Sequence, residues 1–386
     1  VTRAVLRLKR GRDRPRHHPW IFKGDVADVT DVEPGGAVTV VDSTARFVGR
    51  GLYNPRPALC CRILTREDEP LDADFLRRRL AAALSRRSSG DLGRLVWSEG
   101  DRLPGIVVDR YGPVLVVQCM TLGMTRLRSE IIGTLRDLLG PLAVYLRDDE
   151  VAARLEGFDP QRAWWREEAG PDSVVVQEGN VQFRVAFGRG HKTGLYLDQA
   201  ENRRRIAGYA HGRPMLDAFA YTAGFACHAL VAGATAAVCV ESSPDGLAGA
   251  QANLELNGVA DRAELIGGNV FDELRRLERE RRRFGLVVLD PPPFARTRDA
   301  VEAAARGYKE INLRALRLLE PAGVLATFSC SYHMPDELFV EICREAAIDA
   351  GTDVTVLGTL TQTADHPALL AVPETHYLKG LLLSLS

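Results

Sequence analysis

Long apolar runs are missing from this 386-residue chain. No stretch approaches the roughly eighteen consecutive apolar residues that a bilayer span requires. The opening VTRAVLRLKR lacks the apolar centre of an export signal. Paired cysteines are scarce as well: there are seven, an odd number, and only Cys60 and Cys61 lie close in sequence. That argues against a disulfide framework and fits a reducing cytosol, so a cytoplasmic location is expected. CxxC and HxxxH spacings are absent, which leaves a structural zinc site little support, and no metal is expected. The GxGxxG fingerprint is absent too, so no cradle for a pyrophosphate is expected and dinucleotide cofactors lose support.

What is present describes an ordinary globular chain, with 46% hydrophobic and 26% charged residues and length for two or three domains. The net charge of -1 hides an asymmetry. Residues 1–16 carry seven Lys or Arg against one Asp, and His17 and His18 follow. Such a run is either a solvated face or an edge that grips RNA phosphates, since sequence-independent affinity comes largely from Lys and Arg.

Three textures follow one another. Residues 1 to about 68 alternate in short stretches such as AVTVVDS and RFVGRGLY, broken by EPGG and NPRP, the pattern of a small β-barrel with tight turns. From 71 to about 187, the helical LDADFLRRRLAAALSRR precedes strand-like GIVVDRY and PVLVVQCM. A helix around RSEIIGTLRDLLG and a strand pair, SVVVQEG and VQFRVAF, complete a mixed α+β module, with FDPQRAWWREEAGPDS read as a loop. From Arg213 on, apolar strands alternate with amphipathic helices, which predicts an α/β domain wound on both faces of a largely parallel sheet. The strands are MLDAF, AAVCVES, AELIGG, FGLVVLD, GVLATFS, DVTVLGTL and YLKGLLLSL. Ser243 is placed to cap a helix from Pro244 to Asn257, with Gly258 at its left-handed end.

In open α/β sheets ligands bind beyond the carboxyl ends of the strands, so the chemistry is sought there. Asp217 closes the first strand, and Gly224 permits close backbone approach. Glu241 closes the second, where an acid typically accepts ribose hydroxyls. Its bland reading is a solvated acid before a helix N-terminus. Asn269, after the third strand, offers hydrogen bonds to an adenine edge. The set suits an adenosine ligand without phosphates, S-adenosylmethionine, whose amine Asp217 would hold. The fourth strand ends in Asp290 and three prolines, a rigid extended corner.

The fifth strand ends in FSCSYHM. A free cysteine is usually core filler, and Cys227, Cys239 and Cys343 are read that way. Cys330 differs in standing beside the Asp-Pro-Pro corner. A thiolate added to carbon 6 of cytosine makes carbon 5 nucleophilic enough to take a methyl group from a sulfonium, which splits one hard step into easier ones. A base must then remove the carbon-5 proton before the sulfur leaves. Asp290 is the candidate to hold the ring; the proton acceptor stays open.

These motifs, with GHKTGLYLDQAENRR, DAFAYTAGF, DPPPF, ARGYKEIN, FSCS and ADHPALLAVPETHYLKGLLL, resemble the bacterial ribosomal RNA large-subunit methyltransferases that make 5-methylcytosine. The resemblance covers nearly the whole chain. It implies a PUA-like RNA-binding domain over 1–70, a central α+β domain over 71–190 and a Rossmann-like class I methyltransferase domain with a seven-stranded mixed sheet over 191–386. It implies Cys330 as nucleophile with Asp290 beside it. It also implies S-adenosylmethionine contacts from Lys192, Thr193, Tyr196, Gln199, Asp217, Phe219, Tyr221, Gly224, Phe225, Glu241, Ser242, Asn269, Val270 and Asp290. RNA is the implied partner, and a homodimer is compatible with the family. Three departures stand out: Pro293 and Ala200 replace cations, and Asn269 replaces an acid. Rival readings are a guanine-N7 or other RNA base methyltransferase, a small-molecule methyltransferase, and an RNA-binding protein without catalysis. The thiol opposes the first, the PUA-like N-terminus the second, and the intact strand-end acids the third.

Overall fold

The computed structural model describes residues 4–11, 18–88, 90–167, 170–188, 194–295 and 297–385. Lys192, Thr193 and, within the basic run, Arg3, Arg12, Arg14 and Arg16 lie outside the described residues. The chain divides into two compact units: one runs to Val174 and includes Ala364–His376, the other comprises Val175–Thr363 and Tyr377–Ser386.

In the first unit, β1 (Val5–Leu8), β2 (Trp20–Phe22), β3 (Val26–Thr30), β4 (Gly36–Val41), β5 (Phe47–Tyr53) and β6 (Leu59–Thr65) form one sheet in the order β2-β6-β5-β4-β1-β3. Period-two alternation sends Leu6, Leu8, Val38, Val40 and Ile63 into a common core. The next helix, α1 (Ala73–Leu84), starts where Asp72 accepts the Phe75 N–H at 3.0 Å. It is followed by β7 (Leu92–Trp97), β8 (Ile106–Tyr111), β9 (Val114–Cys119), α2 (Leu122–Arg126), α3 (Arg128–Leu139), β10 (Ala143–Arg147), α4 (Glu150–Glu156) and β11 (Arg162–Trp164). These strands make a second sheet, ordered β11-β10-β9-β8-β7. The loop expected around 158–173 is corrected here, because β11 pairs antiparallel with β10. Trp164 faces its cross-strand partner Tyr145 edge-on with ring centroids 5.1 Å apart, an aromatic pair that contributes to holding an edge strand with little alternation.

The second unit opens with a hairpin of β12 (Ser173–Glu178) and β13 (Val181–Ala186). Then come α5 (Ala200–Ala207), β14 (Pro214–Ala218), α6 (Gly224–Val231), β15 (Ala236–Glu241), α7 (Pro244–Leu256), β16 (Ala263–Gly267), α8 (Val270–Arg279), β17 (Phe284–Leu289), α9 (Val301–Leu318), β18 (Leu319–Ser329), α10 (Asp336–Ala350), β19 (Val354–Thr361) and β20 (Lys379–Leu385). All seven strands read from the sequence are present, in the order β16-β15-β14-β17-β18-β20-β19. Every pairing is parallel except those of β20, which runs antiparallel to both neighbours. The fold is therefore the α/β class I methyltransferase architecture with an antiparallel seventh strand. Continuous burial along β17 explains its unbroken apolar run. Helix α7 begins at the expected cap, with Ser243 Oγ accepting the Gly246 N–H at 3.2 Å, and Gly258 beyond its end has φ +66°. Among the described residues no helix is long and apolar enough to cross a membrane.

The chain leaves β14 toward β15 on one side and reaches β17 on the other, so the order reverses at this point. A crevice at the carboxyl ends of these strands is the consequence.

Candidate active site

That crevice is a cavity of about 530 Å³, within the size range of small-molecule sites. The turn between β14 and α6 forms one wall. Phe219, Tyr221 and Ala223 have φ of 67°, 47° and 59°, a left-handed conformation that costs an L-residue about 1–2 kcal/mol. The turn thus takes, without glycine, a backbone shape that glycines usually supply. Phe219, Tyr221, Gly224 and Phe225 all line the cavity. Gly224 itself is not left-handed; a Cβ there would sit 3.1 Å from Arg203 Cδ, so its smallness makes room for an arginine.

Asp217 lies beneath the turn, 1% exposed. Its Oδ2 accepts the Ala226 N–H at 3.0 Å, while Oδ1 has no hydrogen-bond partner among the described residues. Burial, reinforced by the nearby Asp290 and Glu241 carboxylates, pushes its pKa up to about 8 against the opposing Ala226 hydrogen bond. Glu241 lines the cavity at the end of β15. Its Oε2 accepts the Tyr221 N–H and its Oε1 the Ser243 N–H, both at 2.8 Å. This carboxylate ties the β14 turn to the β15 turn. Ser242 and Val270 line the same wall. Asn269 does so too, but its carbonyl oxygen caps α8 by accepting the Phe271 N–H at 2.9 Å. The amide NH₂ is the group it has left to offer an adenine edge.

Tyr196 and Gln199 reach the cavity from the segment before α5. The Tyr196 ring stands perpendicular to Tyr221 at 5.2 Å, and its carbonyl accepts from Arg203 Nη1 at 2.9 Å. Arg203 is clamped in turn by both oxygens of Glu178, at 2.7 and 2.6 Å, and His228 Nε2 meets the same carboxylate at 2.9 Å. Burial alone would raise the Glu178 carboxyl, but Arg203 and the hydrogen bonds from His228 and Arg203 outweigh it and hold it down to about 2. Sequence reasoning missed this support. Arg203 sits within a motif already singled out, GHKTGLYLDQAENRR, whereas Glu178 in its alternating hairpin carries no signal at all. Asp198, also missed, accepts the Tyr377 hydroxyl at 2.6 Å.

Asp290 and the prolines after it form the opposite wall with Cys330. The cysteine Sγ–H donates to the Pro291 carbonyl at 3.6 Å. The two serines flanking it have turned inward. Ser329 Oγ and Ser331 Oγ each lie 3.0 Å from the Tyr308 hydroxyl of α9. Ser331 Oγ also accepts the Ala295 N–H at 3.1 Å, just past the proline corner. The hydroxyls on either side of the thiol therefore anchor the turn, and the thiol projects at the cavity wall. The six other cysteines are buried, while Cys330 is only partly so. Burial pushes the Cys60 and Cys119 thiols up to about 11 and those of Cys227 and Cys343 up to about 12. Of the sequence-predicted site residues that are described, only Asp217 does not line the cavity; it lies beneath the turn that does.

Comparison with known proteins follows the same lines. Residues 157–362 match the family of S-adenosylmethionine-dependent methyltransferases, and residues 5–66 match PUA-like domains. The chain is 37% identical over 389 residues to the ribosomal RNA large subunit methyltransferase I of Erwinia tasmaniensis, covering 98% of each. It is 38% identical over 391 residues to that of Tolumonas auensis, covering 99% of this chain and 98% of the other. Among solved structures, a methyltransferase complexed with SAH covers 100% of both chains with a TM-score of 0.84 at 18% identity. A chain described as a SAM-dependent methyltransferase from Streptococcus mutans has the same TM-score and identity, covering 98% of this chain and 99% of its own. The residues present fit such a cofactor. Glu241 and Asp290 line the cavity at the ends of β15 and β17, Asp217 is buried at the end of β14 between them, and its orphaned oxygen suits a ligand that carries positive charge rather than phosphate.

Proposed function

The chain belongs to the ribosomal RNA large subunit methyltransferase I family of S-adenosylmethionine-dependent methyltransferases, and from that premise we propose that it methylates a cytosine of large-subunit ribosomal RNA at carbon 5, by way of a covalent bond from Cys330 to carbon 6. S-adenosylmethionine is the cofactor and supplies an electrophilic methyl group. In this reading residues 1–70 bind RNA, residues 71–190 form the middle domain, and residues 191–386 carry the chemistry.

Each side chain then has a task. Glu241, already held by two backbone N–H groups, accepts the ribose hydroxyls with its remaining lone pairs. Asp217 balances the cofactor's positive charge from below. Asn269 donates to the adenine edge, and Tyr196, Gln199 and the left-handed turn close around the methionine end, where Lys192 and Thr193 are also assigned. Asp290 and the Pro291 carbonyl orient the pyrimidine. Cys330 sulfur forms a bond to carbon 6, and the electron pair displaced from the ring double bond makes carbon 5 the nucleophile for the methyl. A base takes the carbon-5 proton, the double bond re-forms, and the carbon–sulfur bond breaks to return the thiolate.

One observation carries this reading: Cys330, the partly exposed cysteine among six buried ones, lines the same cavity as Asp290 and Glu241. A nitrogen methyltransferase needs no such thiol. The test is incubation with S-adenosylmethionine and RNA containing 5-azacytidine, whose ring has no carbon-5 proton to lose, so elimination stalls. A denaturation-resistant protein–RNA adduct is expected for the natural chain and for Cys227→Ala, and none for Cys330→Ala. Full methylation by Cys330→Ala would end the proposal.

A further inference from the structure

Apolar and acidic groups dominate the wall of the cavity, and one cation stands among them. Asp198, Glu241 and Asp290 are its carboxylates; Arg203 is the single Lys, Arg or His among the described lining residues. The acids suit the sulfonium and the ammonium of S-adenosylmethionine. The same cofactor ends in a carboxylate, which those acids repel.

Arg203 is 2% exposed and held from several sides. Its Nε and Nη2 donate to Glu178 at 2.7 and 2.6 Å, and its Nη1 donates to the Tyr196 carbonyl at 2.9 Å. The guanidinium carbon lies 5.8 Å from the centre of the Phe183 ring. A guanidinium carries five N–H donors, so these bonds leave one N–H on each terminal nitrogen. A Cβ on Gly224 would sit 3.6 Å from Nη1, which sets that nitrogen against the β14 turn, at the cavity wall. Glu178, shared with His228, offsets the guanidinium charge at a distance. At contact range the spare donors remain, and such donors make charge-assisted hydrogen bonds to a carboxylate.

Gln199, the N-cap residue of α5 four positions before Arg203, lines the same cavity. Its Oε1 accepts from Asn202 Nδ2 at 2.6 Å, and Asn202 also donates to the Thr361 carbonyl at 2.9 Å. These bonds set which way the amide is turned. Its Nε2 has no hydrogen-bond partner among the described residues, although Gln199 is only 2% exposed. A buried donor without an acceptor is costly, and a ligand oxygen in the cavity relieves that cost. The neighbouring Asp198 is turned to another task, its Oδ2 accepting the Tyr377 hydroxyl at 2.6 Å.

We infer that Arg203, with Gln199 beside it, receives the carboxylate of S-adenosylmethionine, so that the site selects the amino-acid end of the cofactor as well as its nucleoside. Arg203 supplies charge and Gln199 a neutral donor, while Asp217 faces the ammonium from the β14 side with its unpartnered oxygen. The assignment deepens the proposed reading, resting on its cofactor and not on Cys330.

Calorimetric titration of the full chain without RNA compares S-adenosylmethionine with its decarboxylated form, which keeps the sulfonium and the amine. The natural chain should bind the decarboxylated ligand at least about tenfold more weakly. Arg203→Met should weaken S-adenosylmethionine binding by about tenfold without weakening the decarboxylated ligand, so that the ratio falls toward one. Gln199→Glu keeps an acceptor for Asn202 and sets like charge against the carboxylate; it should reverse the preference. Arg203→Met leaves Glu178 buried without its arginine. Should it not fold, the double variant Glu178→Gln with Arg203→Met, which removes both charges, is read in its place. Equal affinity of the natural chain for the two ligands overturns the inference. So does an arginine variant that keeps the natural ratio; weakening both ligands alike would make Arg203 a support for Tyr196 alone. Failure of the cytosine reading looks different, namely discrimination intact with no azacytidine adduct; that outcome supports the carboxylate site and removes the pyrimidine.

Discussion

Two turns at the same edge of one sheet present chemistry in opposite ways. After β14, the backbone does the shaping: three residues with side chains accept left-handed conformations over the buried Asp217. After β18, side chains do it: Ser329, Ser331 and Tyr308 form a hydroxyl cluster, and the backbone on either side of Cys330 needs no left-handed residue. A cofactor wall must follow the outline of a ligand, which backbone curvature supplies. A proposed nucleophile must be aimed, and the hydrogen bonds that tie its flanking serines to a helix hydroxyl do that. The two devices should also fail differently.

The largest effect is expected from Tyr308→Phe. It removes one hydroxyl and leaves two buried serine oxygens short of a partner, at about 1–3 kcal/mol of stability. Azacytidine adduct formation should slow by about tenfold or more, since small misplacements of a reacting group are costly. Urea unfolding and adduct kinetics measure the two. S-adenosylmethionine affinity should stay near that of the natural chain, because Tyr308 does not line the cavity. Wild-type stability together with wild-type adduct rate would mean that the hydroxyl cluster does not aim the thiol.

The β14 side should respond to pH instead. The folded pKa of Asp217, about 8, lies above the unfolded value near 3.9. Between those values the folded chain keeps a proton that the unfolded chain has lost, so this group's contribution to stability falls as pH rises from about 4 to about 8. A cationic ligand above Asp217 favours the carboxylate, and cofactor binding near pH 7 should therefore release up to about one proton. Calorimetric titration in buffers of different ionisation enthalpy reads that number directly. Asp217→Asn should abolish the buffer dependence; a natural chain whose binding heat is the same in every buffer would show that the aspartate does not sense the ligand.

Much of the β18 turn was legible in the sequence, and much of the β14 turn was not. Strand ends could be read because buried parallel strands are unbroken apolar runs and the residue that interrupts them is polar. That pointed to Asp217, Glu241 and Asp290, and Cys330 stood out by its place beside the Asp290 corner. The serines beside Cys330 were visible as hydroxyls, but their partner Tyr308 lies 21 and 23 residues away and belongs to a helix. Nothing local tells an inward serine from an outward one. The β14 turn misleads in a different manner. The missing GxGxxG argued only against a pyrophosphate site, and it gave no hint that Phe219, Tyr221 and Ala223 would bend as glycines do. Left-handed backbone is rare for such residues, so only tertiary contacts, here the Glu241 carboxylate on the Tyr221 N–H, reveal it. Asn269 illustrates a third limit: its side-chain oxygen caps α8, a task that the reading of strand ends did not assign to it.

The smallest expected effect isolates that backbone strain. Ala223 and Ala226 are both 0% exposed; Ala223 is left-handed at the start of α6 and Ala226 lies within the helix. Replacing either by glycine deletes one buried methyl and loosens the unfolded chain to the same degree. Those two costs cancel when the variants are compared. What remains is the conformational preference at each site: glycine relieves strain at 223 and sacrifices helix propensity at 226. Ala223→Gly should therefore be nearly neutral, while Ala226→Gly should be the less stable by about 1–2 kcal/mol in urea unfolding. Equal losses would mean that the β14 turn stores no strain. The contrast between a wall shaped by backbone and a thiol aimed by side chains would then reduce to the hydroxyl cluster alone.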